Sequence, residues 1–114
     1  MSVQIIRDIL IALLGDKVGH YQARKEWTDK YAIFGETSAT TEISADDDAL
    51  IIKISGEIFY YTTEEFDKNV DEICRKLGEE EVSYSIVAIS WDQEMGQINY
   101  QIHWEVACGA GEIY

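Results

Sequence analysis

The sequence contains no proline, two cysteines, two histidines and only nine lysines and arginines against 22 acids. Each shortage removes a class of function. Cys74 and Cys108 lack CxxC spacing, and two histidines leave them little to join, so a tetrahedral zinc site is unsupported. Nothing in their spacing suggests a disulfide, and two idle thiols in a reducing compartment are the expected state. No apolar run approaches the roughly 20 residues that span a bilayer. The longest, IIRDILIALL, carries Arg7 and Asp8 inside it. It also lacks a basic leading region and a small-residue cleavage site, so the expectation is a protein that is neither secreted nor bound to a membrane. The contexts of Gly35, Gly56, Gly109 and Gly111 match neither a phosphate-binding loop nor a dinucleotide fingerprint.

The shortage of bases leaves a net charge of −13. Such a field repels phosphate, which disfavours specific nucleic-acid binding and anionic membranes. It admits a DNA mimic that occupies a partner's basic groove, and more commonly a solvated protein that assembles with others.

What is present is enough for one core. At 114 residues, 46% of them hydrophobic and three of them Trp, the chain reads as a single globular domain over 1–114. A chain of this length buries roughly two-thirds of its unfolded surface.

Apolar spacing predicts a helix from about 3 to 14, with Ile5, Ile6, Ile9, Leu10, Leu13 and Leu14 on one face. Ser2 can cap its start and Gly15 can close its end. Residues 16–30 have no clean period and read as a long connection with a short extended piece. They hold Lys17, Arg24, Lys25 and Lys30, the one basic stretch of the chain. YAIFGETSATTEIS and LIIKISGEIFYYT read as two strands of a hairpin, with Asp46–Asp48 near its tip and Gly56 marking a bulge or a close approach. Thr62 and Glu65 fit a capping box for a helix from about 63 to 77, stopped by Gly78. VSYSIVAISW and QINYQIHWEVA then form a second hairpin around DQEMG, where Gly96 supplies positive φ. The order is α-β-β-α-β-β. It predicts an α+β fold, a four-stranded mainly antiparallel sheet with two helices packed on one face.

Candidate chemistry is thin. In QINYQIHWEV the set Ile98, Tyr100, Ile102, Trp104, Val106 alternates with Gln97, Asn99, Gln101, His103, Glu105. His103 and Glu105 share one strand face, as a base with its orienting carboxylate or two metal ligands would. The same HxE pair occurs in zinc deaminases, but those need a following PCxxC and this chain has no proline. Strand parity places His103 and Cys108 on opposite faces, against a Cys–His pair. The Asp46-Asp47-Asp48 run lacks the spacing of an EF-type calcium loop. Tyr60 and Tyr61 point to opposite faces, so at most one is in the core. Trp91 and Trp104 stand on facing strands and could form a cross-strand aromatic cluster, which core and interface packing would explain without any ligand. No enzyme, metal or cofactor reading follows, and the polar row is expected to be a wet or subunit-facing surface.

Three patches, YAIFGE (31–36), GEIFYYTTEEFDKNVDEICRKL (56–77) and ISWDQEMGQINYQIHWEV (89–106), together carry a family resemblance. The matching features are Tyr31 with Gly35 and Glu36, then Gly56, Tyr61, Thr62, Asp67, Val70, Ile73 and Leu77, and later Glu94, Gly96, Ile98, Tyr100 and Trp104. In these the chain resembles small tail completion or tail terminator proteins, minor structural proteins of the tails of Gram-positive bacteriophages and prophages. Where that family opens its first hairpin with a Gly- and Asp-containing loop, this chain has TSATTEISADDD.

The resemblance implies a non-enzymatic subunit that assembles with itself into a ring, hexameric in the family pattern, at the head-proximal end of the tail. Its other partners would be phage tail or head–tail connector proteins. It would lie in the host bacterial cytoplasm during assembly and in the virion tail afterwards. A head–tail connector role is a close alternative, and an acidic phage-encoded inhibitor that mimics DNA is a more distant one. A closed ring needs two different complementary patches on each subunit. Lys17, Arg24 and Lys25 supply one candidate, and the acids of residues 64–81, with Asp71, Glu72, Glu79 and Glu80, supply the other. His103 is a further candidate contact. A ring lumen lined by acids would let DNA pass without sticking.

Overall fold

The computed structural model describes residues 1–43 and 50–114. Asp46–Asp48, expected at an acidic hairpin tip, lie outside the described residues.

Ile6, Ile9 and Leu10 form the buried side of the first helix, α1 (Gln4–Leu14). Ser2 holds its start: its Oγ accepts from the Gln4 N–H at 3.1 Å and donates to Ile113 O at 3.0 Å. Gly15, at φ 68°, ends it with an N–H to Ile11 O, a left-handed position where a side chain would strain. The chain then makes β1 (Val18–His20), β2 (Tyr31–Ile43), β3 (Leu50–Thr62), α2 (Lys68–Glu79), β4 (Ser83–Asp92) and β5 (Gln97–Gly109).

The class is α+β, but among the described residues the sheet has five strands in the order β1-β2-β3-β5-β4. The expectation of four strands is corrected by β1, which runs parallel to β2 through Val18↔Ala32 and His20↔Phe34. Three residues are too few to show an alternation. Backbone bonds hold them instead: Ala32 N–H to Lys17 O at 3.0 Å and Tyr21 N–H to Phe34 O at 2.8 Å. The other pairings are antiparallel.

The second helix is also corrected. It starts at Lys68, and its cap is Asp67, whose Oδ1 accepts from the Asn69 N–H at 2.9 Å. Thr62 makes no capping box. It is buried at the end of β3, and its Oγ1 accepts from the Glu64 N–H in a local turn. Gly78 is not the stop, since the helix runs through it to Glu79.

Alternation sorts the sheet into two faces. Ala32 and Phe34 of β2, Ile54, Ile58 and Tyr60 of β3, and Ile102, Trp104, Val106 and Cys108 of β5 are buried with α1 and α2 in one core. Burying a Leu, Ile or Phe contributes about 1.5–3 kcal/mol each, so this face dominates the fold's stability. The Trp104 indole lies over Gly56, where an added Cβ would come within 2.1 Å of Gly35 O and 2.5 Å of the indole. Gly56 is thus a close approach, and it also marks a bulge, since the extra residue Thr37 of β2 falls opposite the Gly56–Ser55 step; a second bulge lies at Val87 in β4.

The opposite face is covered at one end only. The connection from β1 to β2 brings Trp27 against Tyr31, and Tyr31 stacks on Tyr61 with ring centres 4.8 Å apart. Gln97 Nε2 donates to Thr28 O at 2.6 Å, and Thr63 N–H donates to Asp29 Oδ1 at 2.7 Å.

Candidate assembly surfaces

β4 is the last strand of the sheet, and every residue in it is exposed. Its alternation slips by one at Val87: Tyr84 and Ile86 share a face, and beyond the bulge so do Ile89 and Trp91. Because the bulge adds one residue, all four lie on the helix-side face, opposite Trp104, Ile102, Tyr100 and Ile98 of β5. They remain 42%, 46%, 62% and 59% exposed, although α2 approaches the strand near Tyr84. The cluster that Trp91 and Trp104 could have formed is absent, since Trp91 faces Ile98 and Trp104 faces Tyr84. Ser83–Trp91 contains no Lys, no Pro and no charge at all. Edge strands are usually blunted by those residues, so β4 is poorly protected against pairing, its bulge aside.

The expected basic and acidic patches lie near different end strands, the first around β1 and the second on the helix that packs against β4, though Glu79 and Glu80 share a hollow with Ile5, Asp8, Ile9 and Ala12 of α1. Lys17 immediately precedes β1 and its Nζ donates to Asp29 O at 3.4 Å, while Arg24 and Lys25 stand exposed on the β1–β2 connection. α1 packs against β1 and β2, whereas α2 packs against β4. Within the acidic patch Glu72 and Glu79 both pair with Arg75, Glu72 at 2.7 Å, which neutralises part of it internally. Asp71 sits in the first turn of α2, where the helix dipole favours an acid, and Glu80 caps the last. Among the described residues the ion pairs do not include Glu80, Glu81, Asp92 or Glu94.

His103 lies on the outer sheet face, as its parity requires. The carboxylate that holds it is not Glu105 but Glu57 of β3, directly opposite in the register, which takes the Nδ1 side of the ring. Glu57 also accepts from Gln101 Nε2 at 2.9 Å. Nothing in β5 alone could have named Glu57, because the pairing belongs to a neighbouring strand. The hollow beside His103 is about 200 Å³ and is lined by Ser83, Tyr84, Ser85 and Glu105. A base oriented by a carboxylate could hold or move a proton there, and Ser85 stands opposite His103 in the register, but among the described residues no hydrogen bond joins the Ser85 hydroxyl to the imidazole. Cys108 is buried on the helix side and Cys74 is half-buried on α2; burial raises both thiols, against the thiolate character a nucleophile needs. Among the described residues no group of three His, Cys, Asp or Glu side chains could hold a metal ion.

A further hollow lay beyond sequence reading. Between α1 and β1 a cavity of about 310 Å³ is lined by Val3, Gln4, Arg7, Ile11, Val18, His20, Phe34 and Tyr114. At its rim Glu36 receives His20 Nε2 at 2.6 Å and the Tyr114 hydroxyl. Burial pushes the Glu36 carboxyl up, but the hydrogen bonds from Tyr114 and His20 outweigh it and hold it below the usual range. The same bond pushes the Tyr114 phenol up to about 12. The chain end reaches this place because Val3 N–H bonds Ile113 O at 2.7 Å.

No protein-family model and no curated protein matches the chain. Among the described residues no helix is long and apolar enough to cross a membrane.

Proposed function

We propose that this chain is a non-enzymatic assembly protein of a phage or prophage tail, a ring-forming tail terminator or tail completion subunit at the head-proximal end. The observation that carries this reading is the placement of Lys17, Arg24 and Lys25 beside one edge of the sheet and of α2 with its acids beside the other. Two different patches on one subunit are what a head-to-tail ring uses. The resemblance of residues 31–36, 56–77 and 89–106 to phage tail proteins supplies the biological setting.

In the ring, Lys17, Arg24 and Lys25 of one copy face Asp71, Glu72, Glu79 and Glu80 of the next. Connector proteins of the head–tail joint or other tail proteins stack on the ring. His103 stands in the middle of the outer sheet face, so a contact through it belongs to a stacked partner and not to a ring neighbour. The excess acid lets packaged DNA pass a lumen without specific binding. The DNA-mimic reading gains less support, because Glu72 and Glu79 are tied to Arg75 and Glu57 to His103.

Native mass measurement of the purified protein, alone and with tail-tube protein, tests the reading, and a closed ring is expected. Reversing Lys17, Arg24 and Lys25 to Glu should dissolve it. An unchanged oligomer rejects that contact. A protein that stays monomeric under both conditions rejects the ring.

A further inference from the structure

β1 and β4 are the two ends of one sheet, and the strand register fixes how they sit relative to each other. Ile89 pairs with Tyr100, Tyr100 with Tyr60, Tyr60 with Ala32, and Ala32 with Val18. One step along, Ile86 aligns with Ile102, Ile58, Phe34 and His20. Two copies laid side by side without stagger therefore bring Ile89 of one opposite Val18 of the next, and Ile86 opposite His20. Both residues of β4 and the cavity between α1 and β1 lie on the helix side of the sheet.

We propose that in the assembled form β4 of one copy pairs along β1 of the next, so that Ile86 and Ile89 cover the cavity lined by Val3, Ile11, Val18 and Phe34. This deepens the ring reading and rests on it. The exposed apolar row supplies what the cavity lacks, and the open hydrogen-bonding groups of two edge strands are satisfied together.

Charge selects this partner over a twofold one. Glu79–Glu81 precede β4, and Asp92 and Glu94 follow it. Antiparallel pairing of β4 with its own copy would set these two acidic ends against each other, which is repulsive at both ends. Pairing with β1 places them beside residues 16–30, whose bases Lys17, Arg24, Lys25 and Lys30 outnumber the acids Asp16, Glu26 and Asp29. The strand itself carries no charge until Asp92, so nothing in its middle opposes contact in a protein of net charge −13.

Mixed disulfide trapping tests this. Directly opposite residues on antiparallel strands hold their Cβ atoms about 4.5–5.5 Å apart, near the span a disulfide bridges. In a Cys74→Ser background, Ile89→Cys protein is mixed with Val18→Cys protein under mild oxidation, and Ile86→Cys with His20→Cys as a second pair. The expected result is a covalent dimer in each mixture and none from any single variant alone. A covalent dimer from Ile89→Cys alone identifies a twofold contact and overturns the proposal. An oligomer by native mass with no covalent dimer in either mixture overturns it too and leaves the ring reading standing. A protein that remains monomeric throughout overturns both.

Discussion

The Tyr60 hydroxyl donates to Asp67 Oδ2 at 2.6 Å, joining the middle of the sheet to the cap of α2. The other Asp67 oxygen accepts the Asn69 N–H, and Asn69 Nδ2 closes the triangle on the Tyr60 hydroxyl at 3.0 Å. Asp67 is 6% exposed and Tyr60 is fully buried, so this polar triangle sits inside the molecule. Losing a cap costs about 1 kcal/mol. Leaving the hydrogen of the buried hydroxyl without an acceptor, with Asn69 Nδ2 still donating to its oxygen, costs about 1–3 kcal/mol more. Asp67→Ala should therefore lower stability by roughly 2–4 kcal/mol. Tyr60→Phe removes the hydroxyl but leaves the cap, and should cost less. Urea unfolding midpoints of the two variants check the order.

Acid should weaken the fold through two carboxyls. Burial raises the Asp67 carboxyl, but the Tyr60 and Asn69 hydrogen bonds outweigh it and hold it below the ordinary range. Glu36 is lowered as well, by Tyr114 and His20 acting against burial. A carboxyl whose folded value is lowered adds stability above its unfolded value, about 4, and loses it as pH falls through the folded value. Denaturation midpoints should hold steady from about pH 7 to about 5 and fall below about pH 4. Asp67→Asn should flatten that fall. An equally steep fall in the variant would show that other groups carry the acid sensitivity.

Two glycines should respond in opposite ways to the same substitution. An alanine Cβ at Gly56 would lie 2.1 Å from Gly35 O, a backbone atom that cannot swing away. Gly56→Ala should thus prevent normal pairing of β2 and β3 and leave little folded protein. At Gly78 the nearest atom to an added Cβ is 3.9 Å away, on Tyr84. Gly78 lies inside α2, where Ala outscores Gly by about 0.8–1 kcal/mol. Gly78→Ala should raise the melting temperature by a few degrees, read by circular dichroism.

Elements that carry their own period are legible in the sequence. LIIKISGEIFYYT forms β3 over Leu50–Thr62, and α1 begins beside Ser2 and ends at Gly15 as their chemistry suggests. Elements that depend on another segment are not. β1 exists only because β2 offers Phe34 O and the Ala32 N–H. The capping box at Thr62 fits local spacing, but the buried Tyr60 hydroxyl on β3, seven residues before Asp67, holds that residue as the cap. The slip in SYSIVAISW, from Tyr84 and Ile86 to Ile89 and Trp91, is a bulge written in the sequence. Counting back from the turn likewise sets Asp92 against Gln97 and Trp91 against Ile98, six positions short of Trp104. The Glu36–His20–Tyr114 contacts span up to 78 positions and have no local signature at all.

His103 stands out in the sequence as a catalytic or metal-binding candidate, and its pairing with Glu57 gives it a measurable role in the sheet. Glu57 is 17% exposed on its side chain, so removing the imidazole leaves a half-sheltered carboxylate with Gln101 as its remaining partner. The pair is partly solvated, and exposed pairs are worth only about 0.2–1 kcal/mol. His103→Ala should therefore fold normally and lose no more than about 1 kcal/mol. Because β5 lies inside the sheet and not at its edge, the variant should also assemble as the parent does. Native mass alone and with tail-tube protein reads the two cases separately. A variant that forms the ring but no longer holds the tail-tube protein places the stacked partner on the outer face. One that folds but forms no ring would move the ring contact from the sheet edges to that face.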